Sequence, residues 1–280
     1  MQLATIAGIP IRLHWTNLFL VGLVGLIAAG NPTEGAFVAV AFGVILLSTL
    51  VHELGHALAA KRLGFGVREI LLSPIVAFAL TFGRHGDGRG EMKVALAGPL
   101  VNLSLAVLLL PFALLFPPPA DFLTARELTG PSILGVAVAT NLLIGLFNLL
   151  PAFPMDGGRI LRGWLSTRIS YLEATRRAVR IGRVIAVGLV VAALIGPFIW
   201  PLILVAVLVW ILGSRELQVA KQLEIQRMAH QSGVQLPPQV VRLLATIGID
   251  PNRLREAIQS GTVPGVGSFG AGRGVGAGAA

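Results

Sequence analysis

Residues 36–60 read AFVAVAFGVILLSTLVHELGHALAA. A helix of roughly 20 mostly apolar residues crosses the hydrocarbon of a bilayer, and this run exceeds that length. Its ionisable groups fall in a single helical turn: His52, Glu53 and His56. Such groups are expensive inside a membrane, so their presence there argues for a function. Residues four apart share a helix face, which lets the two imidazoles grip one metal ion. Glu53 lies about 100° round the helix from His52, where its carboxylate can act as a base toward water.

The rest of the chain agrees with a membrane setting. Of 280 residues, 55% are hydrophobic and 12% charged, with a mean hydropathy of +0.81. Soluble domains carry about 25% charged residues. This much apolar surface exceeds what a soluble interior can hide, so the excess must face lipid. Cysteine is absent, which excludes disulfides and thiolate metal sites. No signal peptide is expected, because Arg12 is the only early basic residue and no small-residue cleavage site follows the first apolar run.

Working outward from residues 36–60, further spans are expected at about 15–29, 94–116 and 132–150. Two shorter ones, about 180–196 and 198–213, are separated by Pro197. The fold expected is an all-α polytopic membrane protein with about six transmembrane helices, occupying residues 1–213. Residues 66–82 are β-branched and aromatic but too short to span, which suits a short membrane-associated β-hairpin. Bare strands cannot sit in lipid, so this hairpin must pack on protein or line a wet cavity. Residues 214–260 form a small helical cytoplasmic region, with a polar helix to about 231 and short helices at 237–247 and 251–259. Residues 261–280, rich in Gly and Ala, are expected to be disordered.

Six spans place 21 of the 22 Lys and Arg residues on one side and only Arg126 on the other. By the positive-inside rule both termini are cytoplasmic, in a multi-pass cell-membrane protein. The net charge of +9 is then a topology signal and an attraction to the anionic bilayer surface. No basic–aromatic module is visible, so no nucleic-acid partner is expected.

Two histidines do not complete a catalytic zinc site, which typically uses three protein ligands. Asp156, in the segment NLLPAFPMDGG at 148–158, is the acidic residue beside an apolar span and outside a plainly solvated loop. Pro151 and Pro154 break the fourth span as it nears the side toward which His56 also lies. Asp156 is therefore expected to be a third metal ligand, the alternative being an N-cap on a helix starting at Gly157.

The motifs HELGH and NLLPAFPMDGG resemble the site-2 protease family of intramembrane metalloproteases. Ala97-Gly98-Pro99-Leu100-Val101-Asn102 and Ile11-Arg12-Leu13-His14-Trp15 extend the likeness over about residues 8–165. The resemblance implies one Zn2+ held by His52, His56 and Asp156, with Glu53 as catalytic base. It implies that Asn148 helps hold substrate or the reacting carbonyl. It also implies a strand hairpin, matched by 66–82, that pairs with an unwinding transmembrane substrate, such as a membrane-tethered regulator or a remnant signal peptide. The branch resembled lacks an inserted PDZ domain, and the roughly 65 residues after the last span are too few for the C-terminal CBS pair many of its members carry.

Two other readings compete. A prenyl-protein type of metalloprotease would need a downstream Glu within a span, and none is there. A catalytically inactive relative, or a metal-binding or transport membrane protein of similar fold, would have no need of Glu53. Other polar residues carry lesser expectations. Asn102 and Asn141 are expected mainly to tie helices together. His14 is interfacial, with a family-implied role lining the active site. Gly98-Pro99 serves close packing or a kink. His85 and His230 are solvated, and Arg176, Arg177, Arg180 and Arg183 anchor lipid headgroups.

Overall fold

The computed structural model describes residues 2–73, 78–82, 87–120, 129–196, 199–231 and 236–247. The expected Gly/Ala tail, the helix at 251–259, His85, Arg126 and the Pro197 turn lie outside those residues.

The chain begins with strands β1 (Gln2–Ile6) and β2 (Ile9–Leu13), which pair antiparallel around a turn at Ala7 and Gly8. Both turn residues have positive φ, 52° and 77°, the geometry that matches a two-residue hairpin to the twist of its strands. The expected hairpin at 66–82 is present as β3 (Gly66–Leu72) and β4 (Phe78–Phe82). It is half of a four-stranded sheet of order β1-β2-β3-β4, in which β2 and β3 run parallel. The N-terminal hairpin was not expected from the sequence. Its signal is short: Ile9 and Ile11 alternate with Pro10 and Arg12, and Ile9 and Ile11 are buried.

Helix α1 (Asn17–Gly30) follows the β1-β2 hairpin, and α2 (Pro32–Arg62) begins after one further residue. Asn31 caps α2 by accepting from the Glu34 N–H at 3.2 Å, with Pro32 at the first helical position. Next come α3 (Gly88–Leu115), α4 (Gly130–Asn148), the short α5 (Asp156–Ser166), α6 (Tyr171–Ile195), α7 (Ile199–Gln231) and α8 (Pro238–Thr246). Helices α2, α3, α4, α6 and α7 are long and apolar enough to cross a membrane, and α1 is apolar but shorter. Leu108, Leu114, Leu143, Val184, Leu194 and Trp200 are exposed on them, as lipid-facing positions require. The chain is a multi-pass membrane protein.

The sheet lays Ile9, Ile11, Ile70 and Leu72 against Ala57 of α2, one residue beyond His56. The segment leading into α5 places Ala152 and Met155 against Ala186 of α6 and Ala206 and Val209 of α7. The chain divides into two compact units, Met1–Glu216 and Leu217–Ala280, the division falling within α7. In the second unit Ile225 packs with Val241 and Ala245 of α8.

Candidate metal centre

His52 and His56 project from one face of α2, as their spacing requires, and both are buried. Asp156 arrives from elsewhere. Helix α4 ends at Asn148, and residues 149–155 fold back so that α5 begins with Asp156. This return depends on Gly157, where a Cβ would overlap the carbonyl oxygens of Leu149 and Leu150. The peptide bond between Phe153 and Pro154 is cis. Met155 is the N-cap of α5, and Asp156 is already helical.

The three side chains meet at one point. Asp156 Oδ2 lies 3.1 Å from His52 Nε2 and 3.0 Å from His56 Nε2, and the two Nε2 atoms are 3.0 Å apart. The other face of each ring shows what those atoms carry. His52 Nδ1 donates to Asn102 Oδ1 at 2.6 Å, and His56 Nδ1 donates to the Val94 carbonyl at 2.8 Å. With its Nδ1 proton so used, a neutral imidazole turns a bare Nε2 lone pair inward. Two lone pairs and a carboxylate oxygen then face one another in a buried space. Protonating a ring would relieve part of that repulsion but leave an imidazolium in a buried site. A divalent cation relieves all of it. Tetrahedral zinc with bonds of about 2.0–2.1 Å separates its ligands by about 3.3 Å, so the triangle need open by only about 0.3 Å. The donor set, two imidazoles and one carboxylate, suits zinc and leaves a fourth position open.

The surroundings hold this arrangement in place. Asn102 Nδ2 donates to the Ser48 carbonyl at 3.1 Å and to Asn141 Oδ1 at 2.8 Å. Asn141 Nδ2 donates to Ser48 Oγ at 3.1 Å and to the Ala137 carbonyl at 2.9 Å. This network fixes the Asn102 amide with its oxygen toward His52, tying α2, α3 and α4 together behind the ring. The two asparagines are helix ties, as expected, and Asn102 also orients a metal-site histidine. Gly98 has a related part, because a Cβ there would run into the His56 ring and stand 2.8 Å from His52 Nε2. Pro99, next to it, lacks the N–H that would otherwise bond the Ala95 carbonyl, which loosens α3 one residue past Val94.

Not every expected residue comes to this point. Glu53 is buried on α2 beside His52. Asn148 Nδ2 donates to the Ile144 carbonyl at 2.9 Å, a bond within its own helix. His14 pairs with Thr16 Oγ1 at 2.8 Å, at the start of α1, and is not one of the converging side chains. Its neighbour Asn17 donates to the carbonyls of His14 and Leu72, tying α1 to the sheet. Gly98 serves close packing, as expected, but the sequence does not show that the His56 ring is what packs there, nor that the Val94 carbonyl holds it. A backbone acceptor carries no residue signature, and a glycine next to a proline in an apolar helix has several explanations.

Comparison with known proteins points the same way. The profile of peptidase family M50 matches residues 38–127 and 124–189. A zinc metalloprotease of Methanocaldococcus jannaschii is 38% identical over 222 residues, covering 79% of this chain and 61% of that protein. A Mycobacterium tuberculosis protein named as a zinc metalloprotease, Rip3, is 32% identical over 210 residues, covering 69% of this chain and 51% of its own length. The chain thus spans little more than half the length of these relatives. Among solved structures, the site-2 protease from M. jannaschii superposes with a TM-score of 0.56 at 34% identity, covering 78% of this chain and 94% of that one.

Proposed function

This chain belongs to peptidase family M50, and from that premise we propose that it is an intramembrane zinc metalloendopeptidase acting on transmembrane protein substrates. The observation that carries the proposal is the convergence of Asp156 Oδ2, from α5, within 3.0–3.1 Å of His52 Nε2 and His56 Nε2, on a helix long and apolar enough to span a membrane that also bears Glu53. A solvated pair of histidines has no reason to be so ordered.

In this reading His52, His56 and Asp156 hold zinc. When bound, zinc supplies Lewis acidity, polarising a carbonyl oxygen and acidifying water. Glu53 accepts a proton from the attacking water and returns it to the leaving amine. Asn148 spends one of its two amide hydrogens on the Ile144 carbonyl, and the second is the one it would offer to the oxyanion. A substrate helix must unwind to expose a peptide bond, and its freed backbone groups need partners. Strands β1 and β4 are the two edges of the sheet, and β4, which belongs to the 66–82 hairpin, is the edge proposed for an added strand. The sheet rests on α2 beside His56, so a strand added at the sheet belongs to the same end of the bundle as the metal centre. The 21-to-1 distribution of Lys and Arg supports a site toward the cytoplasmic leaflet, with cytoplasmic termini.

Glu53→Gln separates binding from chemistry. The variant is expected to retain one zinc per chain and to lose cleavage of a co-expressed transmembrane substrate. Cleavage at the wild-type rate by that variant would sink the mechanism. Proteomics of membrane-protein fragments, wild type against Glu53→Gln, would then identify substrates.

A further inference from the structure

Arg162 is 4% exposed and lies on α5, six residues past Asp156. Buried arginines are rare unless paired, and this one is paired on every side. Its Nε donates to Glu91 Oε1 at 3.0 Å, its Nη2 bonds the same oxygen, and its Nη1 donates to Glu216 Oε2 at 2.8 Å. Its guanidinium carbon sits 4.8 Å from the Phe153 ring centre and 5.0 Å from that of Tyr171. None of these groups touches the metal triangle.

What they touch is the machinery that places it. Phe153 is fully buried in the segment that delivers Asp156. Glu91 is in the first turn of α3, one turn before Val94, whose carbonyl holds His56 Nδ1. Between these, α3 and α5 are in backbone contact: a Cβ on Gly163 would stand 2.6 Å from the Gly88 carbonyl oxygen and 3.0 Å from the Met92 nitrogen. Such a contact between two bare backbones fixes distance but resists sliding and rotation poorly. The planar guanidinium supplies the missing directional constraint, because its donors form a rigid fork. The two helix segments it joins carry Asp156 and the acceptor that orients His56.

We infer that Arg162 is a positioning residue for the metal centre, setting Asp156 against His56 by locking α5 to the first turn of α3. The inference rests on the reading of His52, His56 and Asp156 as a zinc site. It assigns to Glu91 the role of partner on α3 and to Glu216 that of a second anchor on α7.

The test is zinc affinity of the purified full-length protein, measured by competition with a chelating indicator, together with the visible spectrum of the cobalt(II) form, which reports ligand geometry. Arg162→Met is expected to weaken zinc by about 10–100-fold, the range seen when partners of metal ligands are removed, and to alter the cobalt bands. Arg162→Lys, which keeps the charge but not the fork, should recover only part of this. Arg162→Met leaves the half-buried carboxylates of Glu91 and Glu216 without their cation and can fail to fold for that reason alone. The triple variant Arg162→Met, Glu91→Gln, Glu216→Gln strands none, and it should fold and still bind zinc weakly. In an Asp156→Ala background, Arg162→Met should have no further effect, because a residue acting through Asp156 is silent once Asp156 is gone. A folded triple variant with affinity within twofold of wild type, or full additivity with Asp156→Ala, overturns the inference. Zinc binding unchanged by His56→Ala alone would bring down the metal site itself, a different and recognisable failure.

Discussion

The histidine pair and the aspartate occupy one point in space but are built in opposite ways. His52 and His56 are fixed by the pitch of a single helix, and two hydrogen bonds, to Asn102 and to the Val94 carbonyl, set their rings. Asp156 stands at the end of a folded-back segment supported by α6 and α7 and tied down by Arg162. The first half of the centre is a local motif with a polar backing. The second is a tertiary construction in which backbone contact does most of the placing. The difference predicts that a steric intrusion on the histidine side should alter metal binding while sparing the fold, whereas one on the aspartate side should alter both.

A single methyl group on each side tests this most severely. At Gly157 it would meet the carbonyl oxygens of Leu149 and Leu150, which are backbone and cannot swing aside. Gly157→Ala should therefore lower thermal stability and reduce zinc content together, with the largest effect of any substitution considered outside the ligands. At Gly98 the obstacle is the His56 ring, with His52 Nε2 at 2.8 Å. Side chains can rotate, so Gly98→Ala should leave the melting temperature nearly unchanged and weaken zinc by about 10–100-fold, the range for disturbed ligand orientation. Equal loss of stability in both variants would erase the distinction between the two halves.

Asn102→Leu sharpens the histidine side alone. It removes the acceptor for His52 Nδ1 and also strands Asn141 Oδ1, which had received the Asn102 amide. Zinc affinity should fall by about tenfold, the lower end of the same range, because the ring can still turn to another acceptor. Stability should fall by about 1–3 kcal/mol from the buried groups left unpaired. Isothermal competition for zinc and chemical denaturation measure the two losses separately. An unchanged zinc affinity would reduce Asn102 to a helix tie.

The same contrast explains what could be read from the sequence. The spacing of His52, Glu53 and His56 encodes their shared face, because helical periodicity is local. Asp156 was found only by adding topology: a proline-broken span running toward the same side as α2. The long spans announced themselves by length and apolarity, and residues 66–82 by being too short and too β-branched to span. Strands β1 and β2 were missed because five-residue strands with one buried alternation look like an unstructured lead-in to α1. Arg162 is one of many basic residues on the charge-rich side, and nothing local distinguishes a buried arginine from a solvated one. Its pairing with Glu91, 71 positions away, exists only once the chain has folded.

The mildest test lies beneath the aspartate. Val209 of α7 is buried against the Ala152–Met155 segment, alongside Ala186 and Ala206. Inside a bilayer the contact between these helices owes little to exclusion of water and much to close packing. Val209→Ala removes two methyl groups from a cluster that already holds Ala152, Ala186 and Ala206, so the helices can close part of the gap. The expected cost is about 1–2 kcal/mol, below the range for larger truncations. If α6 and α7 act only as a floor, zinc affinity should change by less than about threefold, because Gly157 and Arg162 still fix the segment from the other side. A larger loss of zinc, in a variant shown by thermal unfolding to remain folded, would mean that the floor itself sets the position of Asp156. The aspartate side would then depend on the whole α6–α7 pair rather than on the α3–α5 contact that Arg162 locks.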